Sequence, residues 1–103
     1  MLPLIKFDTI EEAIEQANAT EYGLGATVWT ADPVKGLEIG QQLQAGTVWI
    51  NEALGLSPFA TFAGHKQSGL GAESGKEGLL EYTIPQTIAV RQNAGSWAGV
   101  PAN

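Results

Sequence analysis

The sequence has 103 residues, 44% hydrophobic and 16% charged, which is enough for one small core. Eleven acids against Lys6, Lys35, Lys66, Lys76 and Arg91 give a net charge of −6 and no basic face for a nucleic acid. The absence of cysteine excludes disulfides, thiolate ligands and a cysteine nucleophile within these residues, and one His gives a zinc site no support.

No apolar run approaches ~18 residues and no basic stretch precedes an apolar one, so no membrane partner is expected and a cytoplasmic location is the default. Leu2 to Phe7 reads as a short apolar strand. Thr9-Ile10-Glu11-Glu12 fits a capping box, and Ala13, Ile14 and Ala17 share one face of a helix over 10–18. The acids Asp8, Glu11, Glu12, Glu15 and Glu21 are read as its solvated surface.

"GATVWT" at 25–30 is β-branched and aromatic and predicts a strand. Asp32-Pro33 supplies an N-cap with proline at the first helical position, opening a helix to about Gln44 that Gly46 stops. "TVWIN" at 47–51 predicts a third strand, apolar on both faces. Alternating strands and helices at this spacing give an α/β fold, a partial parallel sheet with βαβαβ crossovers.

From Glu52 to Ala72 neither period is present, and a loop that long is functional or packs on something else. Ser74-Gly75-Lys76-Glu77 fits a second capping box for a short helix through Tyr82. Residues 83–90 predict a final edge strand, limited by Pro85. The division expected is one unit over 1–90 and a loosely attached tail over 91–103, with Trp97 as its candidate anchor.

"TFAGHKQSGLGAESG" at 61–75 concentrates the glycines. A phosphate loop needs Gly-Lys-Ser/Thr four residues after its first Gly, and a dinucleotide fingerprint needs G-x-G-x-x-G directly between strand and helix. Neither spacing is met by Gly64, Lys66, Gly69, Gly71 and Gly75. Ser68 and His65, three residues apart in an irregular loop, do not form a known triad arrangement. Lys66 is either a surface cation or a support for a neighbouring loop. Glu73 is either an acid near a helix start or a proton-relaying carboxylate beside a glycine-rich wall.

Three motifs in order carry a resemblance: YGL-x-x-x-VWT from Tyr22, AGTVWIN ending at Asn51, and G-x-K-x-SG-x-G-x-E from Gly64 to Glu73 with its EYT ending. Over about residues 2 to 90 the chain resembles the C-terminal part of the NAD(P)-dependent aldehyde dehydrogenase superfamily. The resemblance implies a fragment of the catalytic domain, inactive alone, because the family's cysteine nucleophile, general base and NAD- or NADP-binding domain lie elsewhere. No cofactor is expected on these residues. A start at Met-Leu-Pro, mid-domain in the family, suggests a truncated gene, a split gene or a deliberately shortened chain.

The resemblance also places the site. Leu54, Leu56 and Phe59 fall where the family shapes the aldehyde entrance, and Phe62 matches the aromatic beside the reacting carbon. Glu73 falls on the acid of a proton relay; Asn51, Gly64, Lys66, Ser68, Gly69 and Gly71 match the supporting loop. The usual Pro-Phe-Gly-Gly is replaced by Thr61-Phe62-Ala63-Gly64, and Ala63 would be strained if that position needed positive φ. The strand at 83–90 matches an oligomerisation strand, so the partners implied are a second copy or a dehydrogenase subunit, with an aldehyde as substrate of the whole enzyme. The alternative is a stand-alone assembly module that pairs with dehydrogenase subunits.

Overall fold

The structure, a computed structural model, describes residues 2–90. The tail expected at 91–103, including Trp97, lies outside the described residues. Helix α1 runs from Ile10 to Asn18, with Thr9 as its extended N-cap. The Thr9 hydroxyl accepts from the Glu12 amide at 3.2 Å, while the Glu12 carboxylate reaches back to the Asp8 amide at 2.9 Å. The Thr9 bond is the one the capping box predicts, whereas Glu12 takes the Asp8 amide, one residue before the cap, rather than the Thr9 amide of a complete box.

Strand β1 (Tyr22–Gly23) is followed by β2 (Gly25–Val28), helix α2 (Pro33–Gly40) and β3 (Thr47–Ile50). The Asp32 carboxylate caps α2, accepting from Val34 and Lys35 at 3.0 and 3.2 Å. Pairing of β2 with β3 is parallel, from Gly25 opposite Thr47 to Val28 opposite Ile50, so β2-α2-β3 forms one crossover unit. Trp49 on β3 is its buried apolar residue.

Helix α2 ends four residues short of the expected Gln44. Beyond it, Gln42 and Leu43 donate three residues back, to Ile39 and Gly40, a tightening that closes the last turn. Gly46 is needed for another reason than stopping the helix. An added Cβ there would lie 1.7 Å from the Ala63 carbonyl oxygen, so the backbones cross too closely for any side chain.

The stretch expected as an unpatterned loop contains short strands: β4 (Phe62–Ala63), β5 (His65–Lys66) and β6 (Ala72–Glu73). Strand β5 pairs antiparallel with β1, and β4 antiparallel with β6. Two-residue strands leave no period for a sequence to display. Helix α3 spans Gly75–Leu80, shorter than the expected run to Tyr82.

The second capping box does not form. Ser74 sits at φ 60 rather than in the extended conformation of a capping residue, and its side chain caps no amide. Glu77 instead accepts from the Thr61 hydroxyl. The strands expected at 2–7 and 83–90 are also absent among the described residues, although the α/β class holds. Strand backbone needs a ladder partner, and none is offered to either stretch within the described residues. Leu2, Leu4, Ile5, Ile84 and Ile88 are exposed.

Candidate functional site

Strand β4 faces β6 with Phe62 directly opposite Glu73 and Ala63 opposite Ala72. Directly paired residues on one face of an antiparallel ladder bring their side chains within reach of each other. Phe62 and Glu73 both line a cavity of about 310 Å³ with Ser68, Gly69, Gly71 and Tyr82. Phe62 also lines a second cavity of about 320 Å³, shared with Leu24, Trp49 and Leu54. Phe62 therefore lines both an apolar cleft and one that holds a carboxylate, each open to solvent.

The sequence-predicted residues separate into those gathered here and those left outside. Phe62, Gly64, Ser68, Gly69, Gly71 and Glu73 meet at the first cavity, and Leu54 joins through the second. Leu54 is itself 75% exposed, and Leu56 and Phe59 also stand at the surface, Phe59 at 92% exposure. Asn51 extends the parallel ladder by one residue: its amide donates to Val28 at 2.8 Å and its side-chain oxygen accepts from Thr30 at 2.7 Å. It ties the ends of β2 and β3 together where the loop departs.

Lys66 links the loop to α1. Its Nζ donates to the carbonyl oxygens of Asn18 and Thr20 at 2.7 and 3.0 Å, taking up acceptors at and just past the end of α1. The Ser68 hydroxyl accepts from the Gly23 amide at 2.8 Å, and His65 meets Ser68 through its backbone carbonyl at 3.1 Å. These links build the loop rather than a nucleophile. Ala63 lies in β4 and is not among the positive-φ residues, so the strain conditional on such a φ does not arise.

The glycine run does not fit a dinucleotide. Gly75 opens α3 at φ 61, and its amide, which a pyrophosphate would need, donates to Pro58 at 3.0 Å. An added Cβ would lie 2.5 Å from the Thr61 hydroxyl oxygen. The backbone is committed to packing α3 against the loop. Beside it, the Thr61 hydroxyl holds the Glu77 carboxyl below its ordinary value of 4.5, helped by the residue's own amide and by Lys76.

Leu24, Trp49, Glu81 and Tyr82 line the two cavities without having been marked from the sequence. Leu24 lies inside the YGL motif and Tyr82 inside the EYT ending, and both served there as resemblance rather than as site. Among the described residues no group of three or more His, Cys, Asp or Glu is placed to hold a metal ion, and no helix is long and apolar enough to cross a membrane.

A parallel crossover unit bearing a short antiparallel ladder, with Phe62 paired to an acid, makes this a mixed α/β segment. The chain belongs to the aldehyde dehydrogenase family, whose model matches residues 1–88. It is 46% identical over 88 residues to aldehyde dehydrogenase, cytosolic 1 of Rattus norvegicus, covering 85% of this chain and 18% of the relative. It is 45% identical over 89 residues to retinaldehyde dehydrogenase 3 of Homo sapiens, covering 86% and 17%. Betaine aldehyde dehydrogenase from Staphylococcus aureus, solved in complex with NAD+, superposes with a TM-score of 0.72 at 38% identity. That match covers 84% of this chain and 19% of the solved one. The chain thus spans about a fifth of the length of the relatives it matches.

Proposed function

We propose that these residues are the C-terminal portion of an aldehyde dehydrogenase, forming one wall of the aldehyde tunnel and an oligomerisation strand, and that they are inactive alone. The observation that carries the reading is the direct pairing of Phe62 with Glu73 across β4 and β6. It puts an apolar surface and a proton-accepting group side by side. Phe62, with Leu54 in the adjoining chamber, excludes water and selects substrate shape; Leu56 and Phe59 extend the apolar rim outward. Glu73 carries a proton away from the reacting end, and Lys66, Ser68, Gly69 and Gly71 hold the wall in place.

The chain's own residues perform no bond chemistry in this reading. With no cysteine among them, the nucleophile comes from elsewhere in the enzyme, as does the site for NAD or NADP. Residues 83–90 take up strand pairing when an edge is offered by another subunit, which covers Ile84 and Ile88. A cytoplasmic location goes with this reading, in line with the name of the rat relative.

Complementation tests it: the chain is mixed with a homologous dehydrogenase lacking the matching segment, and aldehyde-dependent reduction of NAD+ or NADP+ is followed by absorbance. Activity in the mixture and none from either part is expected. A mixture as inert as its parts would sink the reading. The same exposed apolar stretches favour a second reading, an assembly module that binds intact dehydrogenase subunits without completing a site. Co-elution with an intact homologue, without complementation of the shortened one, selects it.

A further inference from the structure

We propose that Trp49 is a positioning residue whose indole anchors the loop after Asn51 and thereby sets Leu54 in its place beside Phe62. The inference rests on the proposed function for what the loop is for; the anchoring stands on geometry alone. Successive side chains of β3 alternate in direction, and α2 takes up Val48 and Ile50, so Trp49 turns to the opposite face. There its ring lies on Gly25 of β2, where an added Cβ would come within 2.7 Å of Cζ3. The ring is 8% exposed.

Held in that position, Nε1 donates to the Gly55 carbonyl at 2.8 Å, reaching six residues along the chain into the loop. An indole can donate but not accept, and leaving it unpaired in a mostly buried position carries the desolvation cost of that group. The bond therefore ties the exposed loop, at Gly55, to the buried Trp49. Leu54, the residue before it, sits at φ 57, a conformation in which a leucine persists only when its surroundings hold it. It lines the 320 Å³ cavity together with Trp49 and Phe62. The bond to Gly55 is the constraint nearest to that strained position.

The test is NMR on the whole 15N-labelled chain and on Trp49→Phe, which keeps a ring over Gly25 but has no donor. In the unaltered chain the Trp49 indole proton should exchange with solvent roughly tenfold more slowly than that of Trp29, the factor an ordinary hydrogen bond gives. Trp29 is 69% exposed and serves as an internal reference. In Trp49→Phe, backbone order parameters at Ala53 to Leu56 should fall from about 0.85 to below about 0.6, with Val48 and Ile50 unchanged. An indole proton as labile as that of Trp29 overturns the proposal. So does a variant whose loop stays rigid, or one that loosens β3 as much as the loop. Should the variant fail to fold, the exchange comparison in the unaltered chain still decides. Failure of the tunnel-wall reading would show in the complementation assay and leave these spectra unmoved.

Discussion

The crossover unit from Gly25 to Ile50 and the glycine-rich wall from Thr61 to Gly75 are built on different principles. The first closes on itself: four consecutive residue pairs join β2 to β3, α2 packs over them, and Trp49 fills the other face. The second is held from outside by the two-residue ladder of β5 on β1 and by scattered polar links. Lys66 grips the end of α1, Gln67 donates to Glu21, Ser68 accepts from Gly23, and Gly75 donates to Pro58. Burial is shared by many atoms and tolerates small losses, whereas a side-chain link such as that of Lys66 or Ser68 is lost in one substitution. The wall can thus be loosened without dissolving the crossover unit.

The largest effect should come from breaking the self-contained half. Trp49→Ala empties the buried face of β3 and removes the indole bond, and is expected to cost about 3–5 kcal/mol, as for other large aromatic truncations. Urea unfolding followed by far-ultraviolet circular dichroism would show a large fall in midpoint. An unchanged midpoint would mean that β2-α2-β3 does not depend on this ring.

Gly75→Ala should act on the other half alone. Its φ of 61 strains any Cβ, and the new methyl would meet Thr61, so a loss of about 1–2 kcal/mol is expected. Amide exchange should accelerate at Gly78 and Glu81 while Val28 and Trp49 keep their protection. Equal acceleration in both halves would erase the distinction drawn between them.

Lys66→Met keeps much of the apolar stem and deletes the two bonds to Asn18 and Thr20, for an expected cost of about 1 kcal/mol at this exposed site. Thermal unfolding should shift down by a few degrees. The smallest effect belongs to Thr61→Val, which removes the donor to Glu77. The Glu77 carboxyl should then titrate closer to its ordinary 4.5, readable from side-chain carboxyl shifts. Because the folded value is depressed, this contact adds stability above that ordinary value and loses it as pH falls through the folded one. The stability gap between the chain and Thr61→Val should therefore narrow on acidification below about pH 4.5.

The half that closes on itself is also the half the sequence displays. The Asp32 cap, Pro33 at a helix start, and the β-branched run at 25–28 are signals carried by neighbouring residues, and they appear where expected, as does the Thr9 cap of α1 outside that half. The wall was legible through motif resemblance, which marked Phe62 and Glu73, but not through pattern, because two-residue strands have no period. Ser74 and Glu77 show the limit of a local rule. Their spacing suits a capping box, yet the left-handed backbone at Ser74 and a hydroxyl sixteen residues upstream of Glu77 take both side chains elsewhere.

By itself the sequence determined the α/β class, the helix starts, the crossover unit and, through its three motifs, the family. Tertiary structure decided what depends on partners distant along the chain. It set Phe62 opposite Glu73, gave Lys66 its acceptors forty-six and forty-eight residues away, and joined Trp49 to the loop. It also left 2–7 and 83–90 without strands among the described residues. Local signals fix the conformation a segment prefers, but a strand exists only when a second backbone supplies the other half of its hydrogen bonds.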